Sequence, residues 1–338
     1  MRYLSVCSGI AADAVAWHPM GWETVAFSET DRYASAVLAH HYPEIPNHGD
    51  FTTITGDQYG AIDLIVGGTP CQTFSVAGKR AGLDEARGVL SLEFCRLVDR
   101  VRPKWFVWEN VPGVKSSGNG LDFGTILKAM AQCGYSVSYR ILDAQYVRTQ
   151  RFSRAVPQRR KRLFAVGHLG EDWRPPAAVL FDPEGLRRSP PPSRQAGEKA
   201  APTVTSNLGT CGFNNPDFTY AVTSKWAKGT GGPSGDECQN LVMHTVNTRQ
   251  SPAVTEDIAQ PLDTRANSLA VSFSQVVRRI TPLEAERLQG FPDYYTLVPW
   301  RRSGGMSNSS RIRMIGNAMA VNVIEWIGRR IQMFESLT

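Results

Sequence analysis

Cysteine is scarce in this chain, with six among 338 residues, at positions 7, 71, 95, 133, 211 and 238. None forms a CxxC pair and no Cys/His group has zinc-ligand spacing, so neither a metal ribbon nor a disulfide framework is expected, and reduced thiols are the default. No run of about 18 apolar residues is present to span a membrane. The opening, MRYLSVCSGI, has too short an apolar stretch for a signal peptide. The first predicted turn lacks GxGxxG, which counts against a nicotinamide oxidoreductase. Acids are missing from residues 148–162, RTQRFSRAVPQRRKR, which hold seven Lys or Arg.

What is present suits one large α/β domain with an insertion, or two domains. The chain is 42% hydrophobic and 20% charged, enough for a sizeable core and too mixed for global disorder. Its formal net charge of +6 is clustered: besides the run at 148–162, Arg278 and Arg279 form a pair, and Arg301, Arg302, Arg311 and Arg313 gather near the end. A solvated face and a phosphate-contacting face are the two readings of such clusters.

From residue 1 to about 170, strand-like and helix-like segments alternate, which predicts a doubly wound, mostly parallel sheet. The predicted strands include RYLSVCSGI, WETVAFSETD, IDLIVGG, KWFVWENV, SVSYRILDA and RLFAVGHL, and Glu109 is expected just past the end of its strand. Residues 173–202, rich in Pro, Arg and Ser, read as a linker, and 203 to about 275 as irregular β structure with long loops. Helical spacing returns at TPLEAERLQGF, where Thr281 is a plausible N-cap before Pro282. GNAMAVNVIEWIGRRIQMF reads as one closing helix. The expected division is a catalytic domain at 1–170, a β-rich insert at 171–275, and a segment at 276–338 that completes the first domain.

Ligands of such sheets bind at the carboxyl ends of the strands. Gly9, Glu29, Pro70-Cys71 and Glu109 all fall there. In GGTPCQTFS, Cys71 stands at a rigid corner after Gly67, Gly68 and Pro70, poor residues for a strand interior but suited to a tight turn that aims a thiol at a substrate. Glu109 stands between Trp108 and Val111, and burial there would favour a protonated carboxyl able to act as a general acid. On a strand, Arg160 and Arg162 share one face and could together hold a carbonyl oxygen and a phosphate. A glycine turn after the first strand and an acid ending the second are nucleotide-like, with Glu29 suited to ribose hydroxyls.

Taken in order, VCSGI (6–10), FSETD (27–31), GD (49–50), GGTPCQTFS (67–75), WENV (108–111), PQRRKRLF (157–164), RRITPLEAERLQGFP (278–292) and GNAMAVNV (316–323) closely resemble the C5-cytosine DNA methyltransferase family. The resemblance implies a Rossmann-like fold of the class I S-adenosylmethionine-dependent methyltransferases, with a β-rich target-recognition domain at 171–275. It implies that Cys71 attacks C6 of a flipped-out cytosine, that Glu109 bonds N3, and that Arg162 and Arg160 hold the O2 side. The methyl donor is then S-adenosylmethionine, contacted by Cys7, Ser8, Gly9, Ile10, Glu29, Thr30, Asp50, Phe51, Pro70, Leu90, Asn317 and Ala318. Gln72, Ser75, Lys79, Arg87, Gln158, Arg249 and Arg265 become DNA contacts, with residues 72–87 as a loop that closes on the duplex. No metal is implied. A monomeric enzyme of the bacterial or phage-infected cytoplasm, acting on a specific double-stranded sequence, is expected. This chain departs from the family in having Ala11-Ala12 where a glycine pair is usual, GNAMAV in place of GNSV, and a longer stretch before Pro157. An RNA substrate, a DNA-binding protein without catalysis, and transfer of a group other than methyl are the alternatives.

Overall fold

A computed structural model describes residues 1–69, 88–181, 219–220, 271–273, 276–278, 280–300 and 304–337. The first domain is laid out as β1 (Arg2–Val6), α1 (Ala12–Trp17), β2 (Glu23–Ser28), α2 (Arg32–His41), β3 (Leu64–Gly67), α3 (Gly88–Val101), β4 (Trp105–Asn110), α4 (Leu121–Gln132), β5 (Tyr135–Asp143), β6 (Gln158–Arg159), β7 (Lys161–Leu169) and α5 (Arg174–Leu180). Then come the short strands β8 (Thr219–Tyr220), β9 (Val271–Phe273) and β10 (Val276–Arg278), and the helices α6 (Pro282–Gln289), α7 (Asn308–Asn317) and α8 (Val321–Glu335). Six strands form the main sheet in the order β2-β1-β3-β4-β7-β5. β1 to β4 are parallel, while β7 runs antiparallel between β4 and β5.

Side chains alternate across each strand, and this sorts the core into two layers. Tyr3, Val66, Trp105, Val107, Phe164 and Val166 face α1, α5 and the C-terminal helices. Leu4, Val6, Ile65, Phe106, Trp108 and Leu163 face α3 and α4. Two close approaches demand glycine. A Cβ on Gly167 would meet the Phe106 ring at 2.0 Å, and one on Gly328 of α8 would meet Trp17 Nε1 of α1 at 2.2 Å. The Trp17 indole also donates to Ile324 O at 2.8 Å, so the last helix is locked onto the first. The C-terminal helix α8 thus packs directly on α1.

Four details differ from the sequence reading. Glu109 is the penultimate residue of β4 rather than beyond it. The presumed linker begins with a helix: α5 packs Val179 and Leu180, both fully buried, against β5 and α8. Two prolines in its first turn fit there because those amides have no intrahelical partner. The closing helix is two helices, broken at Ala318–Ala320 by extended backbone at both caps. Arg311 and Arg313 are not free surface charges: Arg311 pairs with Glu286 at 3.2 Å in the interior, and Arg313 with Asp31 at 2.7 Å. The N-terminus of α6 is as expected, with Thr281 and Glu284 in a reciprocal capping box.

Candidate active site

The site grows from the carboxyl ends of β1, β3 and β4. β3 ends in Gly67, followed by Gly68; a side chain at the first would clash with its neighbours, and one at the second would crowd Glu109. A Cβ on Gly67 would lie 2.6 Å from Val6 Cγ2, and one on Gly68 would lie 3.0 Å from Glu109 Oε2. Thr69 follows, buried and tied from two sides. Its hydroxyl meets Ser91 Oγ of α3 at 2.9 Å and accepts from Trp108 Nε1 at 3.0 Å, and its carbonyl accepts from Asn110 Nδ2 at 3.4 Å. The chain entering Pro70-Cys71 therefore leaves from a fixed point. Pro70, Cys71, Gln72, Ser75, Lys79 and Arg87 themselves lie outside the described residues, as do Arg249 and Arg265.

Glu109 points to the α1/α8 face of the sheet, as Trp105 and Val107 do. Trp108, its apolar neighbour in sequence, points the other way. The carboxylate therefore faces a guanidinium instead of an apolar enclosure: Arg162 Nε of β7 lies 3.2 Å from Glu109 Oε1, and both side chains are only 13% exposed. Arg162 Nη1 also donates to Lys161 O at 2.8 Å.

Arg160 does something different. Its guanidinium is buried and donates to Gly316 O at 3.2 Å and Ala318 O at 2.7 Å. Gln289 Nε2 reinforces the same turn, donating to Ile315 O at 2.8 Å and Ala318 O at 3.3 Å. Arg160 thus holds the GNAM segment against the sheet, which corrects its expected place beside the substrate. Gln158 needs a similar correction: it is fully buried, so in this arrangement its amide cannot reach DNA. The remaining cations of the run fit a polyanion face better. Arg148, Arg151, Arg154 and Lys161 are exposed, although Arg151 also donates to Val15 O at 2.9 Å.

Beside Glu109 a narrow recess opens between the turn after β1 and the break after α7. Cys7, Ser8, Gly9, Gly68, Asn317 and Ala318 line it, joined by Ser5, Asp13 and Met319. The turn is tightly coiled: Cys7, Gly9 and Ala11 have φ of 49°, 54° and 58°. Ala11, one of the two departures from the glycine pair, therefore sits in the left-handed region that glycine adopts without strain. Ser8 staples the turn, its hydroxyl donating to Ser5 O at 2.9 Å and accepting from Ser28 N at 3.0 Å. Glu29, at the end of β2, accepts from Gly9 N and Asp31 N, both at 2.7 Å. Burial pushes its carboxyl above the usual range, against those two bonds.

Of the other expected cofactor residues, Thr30 and Asp50 are exposed, and Asp50 caps the turn at Thr52. Leu90 is half-buried on α3. Ile10 and Phe51 are core residues, so they shape the rim from behind and present little surface. An acid at the end of β2 and a recess leading from Gly9 towards Glu109 fit a donor with a ribose at one end and a reactive centre near the substrate base. Thr69, Gln289 and Asp13 were missed by sequence reading. Among the described residues no group of His, Cys, Asp or Glu could hold a metal.

The three described cysteines are poor nucleophiles. Burial, with Glu29 and Asp50 nearby, pushes Cys7 up to about 12, and burial also carries Cys95 to about 12. Burial, with Asp99 nearby, raises Cys133.

The family signature of the C-5 cytosine-specific DNA methylases matches residues 1–333. The chain belongs to this family. It is an S-adenosylmethionine-dependent DNA cytosine-5 methyltransferase by that membership. Among its relatives, the Type II methyltransferase M2.BsuMI of Bacillus subtilis is 28% identical over 98% of this chain and 75% of its own length. M.HpaII of Haemophilus parainfluenzae is 26% identical over 97% of the chain and 88% of its own length. A protein of Escherichia phage P1 named DNA N-6-adenine-methyltransferase is 30% identical over 97% of this chain, which spans only 61% of that relative. Among solved structures, the Entamoeba histolytica methyltransferase EhMeth aligns over 100% of the chain and 99% of its own, with TM-score 0.61 at 14% identity. Spodoptera frugiperda DNMT2 aligns over 98% of the chain and 99% of its own, with TM-score 0.58 at 16% identity. These two likenesses support the Rossmann-like fold.

Proposed function

We propose that this methyltransferase acts on cytosine in a specific double-stranded DNA sequence, with Cys71 as the nucleophile and Glu109 and Arg162 as the groups that hold the base. The observation that carries this reading is the Glu109–Arg162 pair set directly against Gly68, three residues before Cys71. Three residues span at most about 11 Å, so the thiol begins within reach of the pair.

The chemistry follows from what each group can do. Cytosine C5 is a weak nucleophile. Addition of the Cys71 thiolate across C6 forms an S–C6 bond and moves electron density to C5. Glu109 at N3 neutralises the charge that develops on the ring, and Arg162 orients Glu109 while offering its guanidinium to O2. When bound, S-adenosylmethionine would be held by Glu29 and the recess residues and would supply the methyl group for C5, leaving as S-adenosylhomocysteine. Loss of the C5 proton to a base then expels the Cys71 thiolate and restores the aromatic ring. The base must leave the duplex for this geometry, at a few kcal/mol of unstacking. Exposed Arg148, Arg154 and Lys161 are placed to meet phosphates, and replacing the arginines of this stretch should flatten the salt dependence of DNA binding. Residues 171–275 hold the part we assign to sequence reading, apart from α5, which packs on the sheet. Relatives from bacteria and phages support a cytoplasmic setting, and we read the enzyme as a monomer.

The name of the phage P1 relative raises methylation of adenine N6 as a second reading. That exocyclic nitrogen needs no covalent activation, and the Thr69-anchored corner leading to Cys71 favours cytosine. The test is to incubate the protein with methyl donor and either duplex DNA or tRNA, then separate the nucleosides by mass. 5-Methylcytosine from duplex DNA alone is the expected product. N6-methyladenine, or methylation confined to tRNA, would overturn the proposal.

A further inference from the structure

Asp13 is absent from the mechanism above, yet it is the most unusual side chain in the recess. It is only 3% exposed, it lines the recess together with Ala318 and Met319, and its Oδ2 accepts no hydrogen bond among the described residues. Burial pushes its carboxyl up to about 6, with the Ser5 hydroxyl and nearby backbone amides opposing the rise. A buried carboxylate with an idle oxygen costs free energy unless something cationic arrives to meet it.

The cofactor supplies such a group. With the ribose at Glu29 and the reacting base at Glu109, the sulfur lies between them, and the methionyl limb has to run into the remaining space. That space is the part of the recess lined by Ser5 and Asp13. The limb carries an α-ammonium, three donors on one cation, which a carboxylate accepts through short charge-assisted bonds. We infer that Asp13 is a donor-binding residue that receives the α-ammonium of the methionyl limb, setting affinity for the amino-acid end of the cofactor. This rests on the donor site assigned above. The contact is indifferent to the methyl group, so it serves S-adenosylmethionine and its demethylated product alike.

The test is calorimetric binding of S-adenosylhomocysteine and of methylthioadenosine, which keeps the ribose and base but lacks the ammonium. Wild-type protein is compared with Asp13→Asn, and folding is checked by thermal melting. Asp13→Asn should weaken S-adenosylhomocysteine about tenfold or more and change methylthioadenosine less than twofold. Unchanged binding of both ligands, or equal loss of both, would overturn the inference. Failure of wild-type protein to bind either ligand would instead overturn the donor site itself.

If the variant does not fold, the wild type still decides. At pH 6, S-adenosylhomocysteine should release a fraction of a proton that methylthioadenosine does not, measured in buffers of differing ionisation enthalpy. The groups facing Asp13 are Ser5 and Tyr3 from β1, Tyr42 after α2, and Tyr295 from the C-terminal segment. Burial raises all three tyrosines, which stay protonated at that pH. Glu29 and Glu109 meet parts common to both complexes. Equal proton release by the two ligands would contradict the assignment.

Discussion

Two glutamate–arginine pairs of the same length do opposite work in this molecule. Glu286 and Arg311 lie 3.2 Å apart with side chains 0% and 8% exposed. Glu286 Oε1 also accepts from Thr296 N at 2.8 Å and from the Thr296 hydroxyl, which in turn takes a bond from Arg311 Nε at 2.8 Å. That pair is sealed in the interior and fastens α6 to α7, although Glu286 Oε2 accepts no bond among the described residues. Glu109 and Arg162 are also 3.2 Å apart, but they stand at the open end of the sheet with Gly68 kept bare beside them. Distance does not separate a structural pair from a functional one. What separates them is where the pair stands, sealed in the interior or lining a recess at the open end of the sheet.

Breaking each pair should therefore show in a different measurement. Glu109→Gln should lower kcat by about 10²–10⁴-fold, with a melting temperature close to wild type. A comparable loss of stability would place that pair with the structural one. Glu286→Gln leaves Arg311 buried and underpaired, and should cost about 3–5 kcal/mol in denaturant unfolding. Its kcat per folded molecule should hold, and a fall in kcat without a fall in stability would reverse the comparison.

Asp13 extends the contrast to a carboxyl with no cationic partner among the described residues. Its folded pKa, about 6, lies above the ordinary value of 3.8. The folded state therefore holds this proton more tightly than the unfolded one. The resulting destabilisation is absent below about pH 4, grows as pH rises, and is complete above about pH 6. The shift corresponds to about 3 kcal/mol. Asp13→Asn should recover about that much stability at pH 7 and flatten this part of the pH–stability curve. A variant less stable than wild type at pH 7 would mean that the carboxylate is satisfied in the protein. The smallest effect is at Ala11, with φ 58°. Ala11→Gly should stabilise by about 0.5–1 kcal/mol, the relief of left-handed strain less the added chain entropy. A destabilised variant would contradict the strain.

The sheet was readable because its strands are apolar runs closed by Gly, Glu or Asn, and their alternation with helices predicts mostly parallel pairing. Gly67-Gly68 and WEN were readable as a site because glycine pairs and a strand-end acid serve little else there. The role of Arg160 was hidden for a physical reason: its partners are the carbonyls of Gly316 and Ala318, more than 150 residues away, and carbonyls are the same in every residue. Gln289 was hidden for the second reason alone, its partners being the carbonyls of Ile315 and Ala318. Glu109 was placed among apolar neighbours because sequence adjacency was read as spatial adjacency, whereas strand alternation sends Trp108 to the opposite face. The helix α5 was obscured by its own prolines, which sit in the first turn where they do no harm.

The central claim is that Cys71 attacks a cytosine held by Glu109 and Arg162. It is tested most directly with duplex DNA carrying 5-fluorocytosine, incubated with S-adenosylmethionine and either wild-type protein or Cys71→Ala. Fluorine at C5 does not leave as a proton does, so the account predicts a denaturant-stable protein–DNA adduct with wild-type protein and none with Cys71→Ala. Methylation of ordinary cytosine by the Cys71→Ala protein, or an adduct that survives that substitution, would contradict it.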